Sequence, residues 1–414
     1  MSFFNRLGLG SQAEGDNTGL VVASTAIATT VVVTLLRRYL WPTQPKVLNS
    51  PLRTVVSVLS QDEFNELAYK PDNFPGARDV ETPYGSVRVY EWGPPDGEKV
   101  VLVHGISTSC MTLTKLANAL VEEKGCRVML FDLFGRGYSD NPSDLPHDDR
   151  LYTTQILIAL ASSPDLSWTG PHAFRMVGYS LGGGIAVNFA TSFPHLVSSL
   201  VLLAPAGLIR PASFGVLTRA IFTSGIIPPR ILTWILRKRL KKPIRSSGKR
   251  GRNHKAAVNP NSAPHNPDPE STTTAKPDPV AGALAETAPL LDNDAIDFTG
   301  EPRNALEKRM LRGVHWQLAN HVGFVPAFMS CIRYAPMLGQ QAAWARLAER
   351  APGTTAIILG DGDEIIDPEE YATDALPLVG GAGRVHWTMV PGGHDFPMTF
   401  ARETLVEIYK AWGW

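Results

Sequence analysis

The stretch that decides the fold is Phe174-Arg-Met-Val-Gly-Tyr-Ser-Leu-Gly-Gly-Gly184, which predicts a short apolar strand, a tight turn and a helix. Ser180 stands at the tip of the turn in a G-x-S-x-G pattern, and Gly178 and Gly182 occupy positions where a side chain would collide with sharply bent backbone. The N–H of Leu181, at the helix start, faces any oxygen that becomes negative when Ser180 attacks a carbonyl. The stretch therefore predicts a nucleophile with an adjacent oxyanion donor.

A serine hydroxyl needs a base to take its proton and an acid to hold that base in the right tautomer. The apolar strand that begins at Thr355 ends in a loop with several carboxylates. We predict Asp363 as the acid, with capping of the next helix as its alternative role. Three other carboxylates compete for the catalytic role, and they are Asp361, Glu364 and Asp367.

The predicted base is His394, in the loop Pro391-Gly-Gly-His394 that follows a predicted strand over residues 385–390. The alternative for this residue is a solvent-exposed loop histidine. The chain order Ser180, Asp363, His394 is the one expected when the three side chains come from successive strands of an open α/β sheet. A solvated serine in a chance G-x-S-x-G turn would not be followed by these partners.

A second oxyanion donor is expected after an earlier strand, Lys99-Val-Val-Leu-Val-His-Gly105. Gly105 lets the backbone pass close to the site, and the N–H of Ile106 is the predicted donor. We expect His104 to position this loop by hydrogen bonding. Ser107 is predicted either to contact substrate or to cap the following helix.

The chain resembles the α/β-hydrolase superfamily, close to its esterase, lipase and C–C hydrolase branches. The resemblance covers roughly residues 78–414. It implies the α/β-hydrolase fold, with a mostly parallel sheet flanked by helices and covered by a helical cap or lid. It also implies structural roles for Asp132 and Arg136, and it implies no cofactor. Four blocks carry it, and they are Val103-His-Gly105, Phe131-Asp-Leu-Phe-Gly-Arg-Gly-Tyr-Ser-Asp140, Gly178-Tyr-Ser-Leu-Gly182 and Gly393-His394.

The nucleophile narrows the chemistry that the resemblance allows. Superfamily members that open epoxides or cleave carbon–halogen bonds carry aspartate at this turn, so Ser180 argues against both. We predict a serine hydrolase that cleaves a lipophilic carboxylic ester, lactone or thioester through an acyl-enzyme. The alternatives are C–C bond hydrolysis, a non-hydrolytic cyclisation or condensation, and a catalytically silent membrane interaction protein.

Composition limits the partners and the metal chemistry. Lysine plus arginine and aspartate plus glutamate total 39 each, which gives no general attraction to nucleic acid. We therefore predict no nucleic-acid partner. The predicted partner is the small lipophilic substrate of the hydrolase. The three cysteines, Cys110, Cys126 and Cys331, lack the spacing of metal ligands or of a disulfide framework. The sequence predicts free thiols and no metal site.

An apolar run near the N-terminus predicts a membrane anchor over residues 19–41. Gly19 to Leu36 carries no charge over about 18 residues, enough to cross a hydrocarbon core as a helix. The alternatives are a signal peptide and a buried core helix. Arg37 and Arg38 follow the run, so the positive-inside rule predicts a single-pass protein with its catalytic domain in the cytosol.

The resemblance implies the core and the cap, and composition indicates the disordered insertion. We predict an N-terminal tail over residues 1–18, a juxtamembrane linker over 42–77, a core over 78–209 and 346–414, and a cap over 210–345. Within the cap, residues 246–299 are rich in Pro, Ser and Thr and are predicted to be disordered. A basic cluster in the cap is interpreted either as a solvated helix end or as a contact with anionic lipid headgroups. Its members are Arg237, Lys238, Arg239, Lys241 and Lys242.

Overall fold

The structure is a computed structural model that describes residues 18–41, 43–171, 173–210 and 295–414, with positions 228, 230–231 and 233–235 between the last two ranges. The predicted N-terminal tail before Thr18, the basic cluster at residues 237–242 and residues 246–294 of the predicted disordered insertion lie outside the described residues.

A sheet of eight strands forms the centre of the domain, in the order β2-β3-β5-β4-β7-β8-β9-β10. Strand β3 pairs antiparallel with β2 and β5, and the other pairings are parallel. The central strands of the sheet are continuous apolar runs because helices cover both faces of the sheet. Within the described ranges the strands are β1 (Val47–Leu48), β2 (Arg78–Val80), β3 (Val87–Trp92), β4 (Lys99–Val103), β5 (Arg127–Phe131), β6 (Asn141–Pro142), β7 (Phe174–Tyr179), β8 (Val197–Leu203), β9 (Thr355–Gly360) and β10 (His386–Val390).

The α/β arrangement confirms the predicted fold class. The antiparallel β2 and β3 form the hairpin whose turn contains Gly85. A short 3₁₀ helix, Cys110–Leu113, precedes the helix after β4. The helices of the described residues are α1 (Thr18–Leu40), α2 (Pro51–Thr54), α3 (Gln61–Asn65), α4 (Thr114–Lys124), α5 (Asp149–Ala161), α6 (Leu181–Ser192), α7 (Ala305–Asn320), α8 (Phe324–Tyr334), α9 (Gln341–Arg346), α10 (Pro368–Leu378), α11 (Phe396–Thr399) and α12 (Ala401–Trp412).

The parallel strands place the predicted site residues at one edge of the sheet. His104 follows β4, Ser180 follows β7, and Asp363 and His394 lie in the loops after β9 and β10. Because parallel strands share one direction, their carboxyl ends meet at the same edge. We call this edge, with its loops, the carboxyl edge of the sheet.

The segment after α1 is packed against the core, which corrects the predicted juxtamembrane linker over residues 42–77. Strand β1 pairs antiparallel with β6, and the N–H of Ser50 donates to Oδ1 of Asp140 at 2.6 Å. Tyr69 and Phe74 are buried in the core. These contacts join residues far apart in the sequence, so no local pattern indicated them.

Helix α1 stands apart from the core. Residues Gly19–Leu40 are long and apolar enough to cross a membrane, with a mean hydropathy of 2.1 and none of the apolar window buried. Its side chains are exposed from Gly19 to Tyr39. The alternative of a buried core helix is therefore wrong for this segment.

Helices α7 and α8 lie over the carboxyl edge, where the cap was predicted. The N–H of Gly137 donates to Oε1 of Gln317 at 2.6 Å, and the ring of His321 donates from Nε2 to the carbonyl of Ser139 at 3.0 Å. Residues 295–299, which fall within the predicted disordered insertion, instead have defined contacts: the N–H of Asp297 donates to the carbonyl of Glu301 at 2.9 Å. Asp297 in this segment forms a buried ion pair with Lys115, which offsets the cost of ordering the chain there.

Candidate active site

Ser180 occupies a sharp strand-to-helix turn between β7 and α6. Its backbone has φ 54° and ψ −119°, a conformation that costs a non-glycine residue free energy. A Cβ on Gly178 would lie 2.4 Å from the carbonyl oxygen of Gly182, and one on Gly182 would lie 2.2 Å from the carbonyl oxygen of Val103. The two glycines are therefore required by close backbone approach, as the sequence predicted.

The structure brings the three predicted residues together in one hydrogen-bonded chain. Nε2 of His394 lies 3.0 Å from Oγ of Ser180, and Nδ1 of His394 lies 2.8 Å from Oδ2 of Asp363. The side chains come from three loops and are separated by 214 and 31 residues. With Nδ1–H donating to the carboxylate, Nε2 is left to accept the serine proton.

Burial excludes water from this chain of hydrogen bonds. The exposed fractions are 6% for Ser180, 6% for Asp363 and 3% for His394. In such surroundings hydrogen bonds and charge interactions are stronger than in water. The arrangement can therefore transfer a proton from the hydroxyl to the imidazole while the carboxylate stabilises the resulting positive charge.

Asp363 is distinguished from its three competitors by its contacts. Its Oδ1 accepts backbone N–H groups of Ile365 at 2.8 Å and Ile366 at 2.9 Å, which leaves Oδ2 for the histidine. Asp361 instead accepts the N–H of Gly392 at 3.0 Å.

The other two competitors have ordinary structural positions. Asp367 caps α10, accepting backbone N–H groups of Glu369 and Glu370 at 3.0 Å. Glu364 has an exposed side chain. Of the four carboxylates, Asp363 is the one that hydrogen-bonds His394.

The loop that carries His394 is held against its neighbours by close backbone contacts. The carbonyl oxygens of Gly392 and Gly393 would each lie 2.6 Å from a Cβ on Gly360. Tyr179, next to the nucleophile, donates its hydroxyl to the carbonyl of His394 at 3.1 Å. The imidazole is therefore positioned by contacts with the end of β9 and with Tyr179 of β7.

The loop after β4 lies against the start of α6, where the second oxyanion donor was predicted. A Cβ on Gly182 would lie 2.6 Å from the carbonyl of His104, so this loop and the nucleophile helix are in contact. Leu181 begins α6, and a first helical N–H has no partner within its own helix. Ile106 is buried, and its carbonyl accepts a hydrogen bond from Nε of Arg136 at 2.8 Å. The geometry thus brings both candidate donors to the same region.

His104 acts on this loop, as the sequence predicted. Its Nε2 accepts the N–H of Leu133 at 2.9 Å, and its Nδ1 donates to the carbonyl of Gly105 at 2.9 Å. Burial, with the nearby charge of Arg136, lowers the pKa of His104 to about 3. The ring is neutral at physiological pH. Ser109, not Ser107, holds the N-cap position of the following 3₁₀ helix, so the capping role predicted for Ser107 is wrong.

Asp132 and Arg136 have structural roles, as the resemblance implied. Asp132 accepts three hydrogen bonds, from the N–H groups of Cys110 at 3.0 Å and Tyr138 at 2.9 Å and from the hydroxyl of Tyr69 at 2.9 Å. Burial raises its pKa. Arg136 is fully buried and donates to backbone carbonyls of the loops around it. Both residues organise the carboxyl edge.

Two buried charged side chains near the site escaped the sequence analysis. Asp395 directly follows His394 at the start of α11, and burial raises its pKa to about 6. Lys115 donates to the carbonyl of Met398 in α11 at 3.1 Å and pairs with Asp297. It therefore connects the end of the insertion to the helix that follows His394. The sequence signal for Asp395 was its place beside the base. Nothing local indicated Lys115.

All three cysteines are buried free thiols. Across the described parts of the chain, no group of His, Cys, Asp and Glu side chains is arranged to hold a metal ion.

Comparisons with known proteins agree with this architecture. A family model of the α/β hydrolase fold matches residues 99–224, which contain both β4 and the Ser180 turn. The crystal structure of a membrane phospholipase A, described as a novel bacterial virulence factor, superimposes with a TM-score of 0.51 at 18% identity. The superposition covers 95% of this chain and 98% of that one, and at this identity it shows the fold alone.

Two curated relatives match a shorter region. A serine hydrolase-like protein of Dictyostelium discoideum is 30% identical over 142 residues, which is 33% of this chain and 38% of the relative. A putative 2-succinyl-6-hydroxy-2,4-cyclohexadiene-1-carboxylate synthase of Bacillus subtilis is 34% identical over 114 residues, which is 28% of this chain and 39% of that protein. The chain thus spans well under half the length of these curated relatives.

Proposed function

We propose that the chain is a serine hydrolase of the α/β-hydrolase superfamily that cleaves a lipophilic carboxylic ester, lactone or thioester through an acyl-enzyme on Ser180. The observation that carries this proposal is the buried chain of hydrogen bonds from Asp363 through His394 to Ser180. The serine hydrolase-like relative supports the same class of chemistry.

The geometry supports a two-step reaction. Nε2 of His394 takes the proton as Oγ of Ser180 attacks the substrate carbonyl, and the backbone N–H groups of Leu181 and Ile106 stabilise the oxyanion. The tetrahedral intermediate then loses the alcohol or thiol, which receives the proton from His394. Water attacks the acyl-enzyme with the same histidine as base, and the acid product leaves.

Asp363 orients the base in both steps. Its two backbone hydrogen bonds fix the carboxylate, and its second oxygen fixes the Nδ1–H tautomer of His394. The imidazolium that forms in each step lies against a buried negative charge. Catalysis then needs no cofactor.

We propose that residues 19–41 anchor the protein in a membrane with the catalytic domain in the cytosol. The apolar helix α1 supports the anchor, and Arg37 and Arg38 at its end support the orientation. We also propose that the basic residues at 237–242 bind anionic lipid headgroups, as their charge favours. Both features favour a lipophilic substrate.

The Bacillus subtilis relative favours one alternative on the same fold. It is named as a putative synthase, so the same three residues could serve a carbon–carbon bond-making or bond-breaking reaction here. Analysis of the products from candidate substrates separates this alternative from hydrolysis, because hydrolysis releases an acid and an alcohol or thiol.

The nucleophile can be tested with a fluorophosphonate probe on the full chain in detergent. We expect the probe to label the wild type and the control variant Ser57→Ala, which removes an exposed serine, and to leave Ser180→Ala unlabelled. Hydrolysis of p-nitrophenyl butyrate should fall by about 10⁴-fold or more in Ser180→Ala. Labelling or ordinary hydrolysis in that variant would show that another residue is the nucleophile.

A further inference from the structure

The membrane helix is attached at the carboxyl edge of the sheet. Helix α1 ends at Leu40, and only residues 41–46 separate it from β1. Strand β1 pairs with Asn141–Pro142, in the chain that continues from the carboxyl end of β5. Six residues reach at most about 20 Å, so the anchor holds this edge close to the end of the membrane helix.

The cap meets the same loop from another side. His321 donates to the carbonyl of Ser139, and a Cβ on Gly323 would lie 2.5 Å from Cβ of Asn141. Residues 139–142 therefore contact both β1, which follows the membrane helix, and the junction of α7 and α8. The cap and the anchor are joined through one short piece of backbone.

A second contact links the membrane helix to the segment between β8 and α7. The guanidinium of Arg230 lies 4.3 Å from the ring centroid of Tyr39, near the end of α1. Ile231 and Trp234, in the same described segment, have exposed fractions of 40% and 61%. Trp41 is also exposed, at 43%.

These exposed side chains have the composition of a membrane interface. Tryptophan and tyrosine prefer the headgroup level, and arginine can keep its charge in water while its stem lies along apolar surface. We define the interfacial patch as Tyr39, Trp41, Arg230, Ile231 and Trp234. Arg230 joins the patch to the membrane helix through its contact with Tyr39, and this link points to a lipid surface as the partner.

We infer that the interfacial patch docks on the bilayer, so that the carboxyl edge faces the membrane and the substrate is an ester of a membrane lipid that reaches Ser180 from the adjacent leaflet. This inference rests on the proposed hydrolase function and adds the source and class of the substrate. Docking would shorten the path from leaflet to nucleophile and would give a bilayer-embedded ester an advantage over a dissolved one.

The docking can be measured without any enzymatic activity. The full chain would be placed in vesicles of phosphatidylcholine and phosphatidylglycerol in equal parts, with lipids brominated near the headgroup as quenchers of tryptophan fluorescence. We expect Trp234→Phe to lose part of the quenching that the wild type shows. Equal quenching in the two proteins would overturn the inference.

Trp414 provides a matched tryptophan at the opposite edge of the sheet. Its ring lies 4.6 Å from the guanidinium of Arg175, at the amino end of β7, and its side chain is exposed. Trp414→Phe should leave unchanged the absolute loss of fluorescence that the brominated lipids cause. A loss of quenching as large as that in Trp234→Phe would mean that the domain lies on the membrane without a preferred face, which also overturns the inference.

The substrate class is tested by comparing two esters. In the variant Ile231→Asp/Trp234→Asp, hydrolysis of a long-chain ester presented in the same vesicles should fall by about tenfold, while hydrolysis of soluble p-nitrophenyl butyrate stays unchanged. Val406→Asp is the matched control, because Val406 is an exposed apolar residue on α12, far along the chain from the patch. It should change neither rate.

The outcomes separate this inference from the proposed function. If the hydrolysis rates of both esters fall equally in the double variant, the patch supports the fold rather than docking. If wild-type enzyme hydrolyses neither ester, the proposed function fails while the quenching still reports docking. If the double variant changes a dimer into a monomer in detergent without altering quenching, a second copy covers the patch and the inference is wrong.

Discussion

Asp132 and Asp363 are two buried carboxylates at the same edge of the same sheet. Asp132 follows β5, and Asp363 lies in the loop after β9. Each accepts two backbone N–H groups, from Cys110 and Tyr138 in one case and from Ile365 and Ile366 in the other. Position, burial and backbone contacts therefore do not distinguish a structural aspartate from a catalytic one.

The difference lies in the third hydrogen-bond donor. Asp132 accepts the hydroxyl of Tyr69, which is neutral and buried, whereas Asp363 accepts Nδ1 of His394, which is itself in contact with a nucleophile. One carboxylate joins loops, and the other controls the tautomer and charge of a base. The partner, rather than the carboxylate, determines which residue performs chemistry.

The largest effect is expected from Asp363→Asn. The amide oxygen can keep the N–H groups of Ile365 and Ile366, so the amide NH₂ faces Nδ1 of His394 and forces the proton onto Nε2. We expect kcat to fall by about 10⁴-fold while the free energy of unfolding changes by less than about 1 kcal/mol. Ester hydrolysis and thermal unfolding of the same preparation measure both quantities. If the free energy of unfolding fell by as much as the activation free energy rose, the two aspartates would no longer be distinguished.

Asp132→Asn is the matched isosteric change and should give the opposite pattern. One amide oxygen cannot serve all three donors, so a buried N–H from Cys110 or Tyr138 is left facing the NH₂ group. We expect the free energy of unfolding to fall by about 3 kcal/mol and kcat of the folded enzyme to stay within about threefold. Denaturant unfolding and active-site titration with the fluorophosphonate probe provide these values. A selective loss of kcat would mean that Asp132 also contributes to catalysis.

Asp395 extends the comparison to a carboxylate whose burial raises its pKa, to about 6 from an ordinary value of 3.8. Protonation stabilises the fold below pH 3.8, and this contribution is lost as the pH rises through 6. Asp395→Asn should therefore be more stable than the wild type at about pH 8, by about 3 kcal/mol, and should lose this advantage by about pH 4. Thermal unfolding of both proteins across this range tests the sign. An advantage that is equal at both pH values would exclude titration of Asp395 as its cause.

The features that the sequence predicted correctly are those with local causes. Gly178 and Gly182 are required by the turn they flank, so the Ser180 geometry follows from five consecutive residues. The position of each loop after an apolar strand was equally readable, and it placed Asp363 and His394 at the same edge. Choosing Asp363 over its neighbours depended on contacts that only the folded chain supplies.

The features that the sequence did not predict depend on distant partners. Residues 47–77 have the composition of a linker, and their first strand is only two residues long. Yet Tyr69 in this segment hydrogen-bonds Asp132, 63 residues away. Lys115 of α4 and Asp297, 182 residues apart, pair and so join the segment before α7 to the core. Such pairings have no periodicity or spacing in the sequence, so only the tertiary structure reveals them.

The pairing of β1 with β6 also decides where the α/β domain can be separated from helix α1. A fragment that begins at residue 78, the boundary suggested by composition, would leave Asp140 without the N–H of Ser50 and would remove Tyr69 from the core. A fragment that begins at Thr43 keeps both contacts and omits helix α1. Soluble expression for substrate screening should therefore start within the few residues between the anchor and β1.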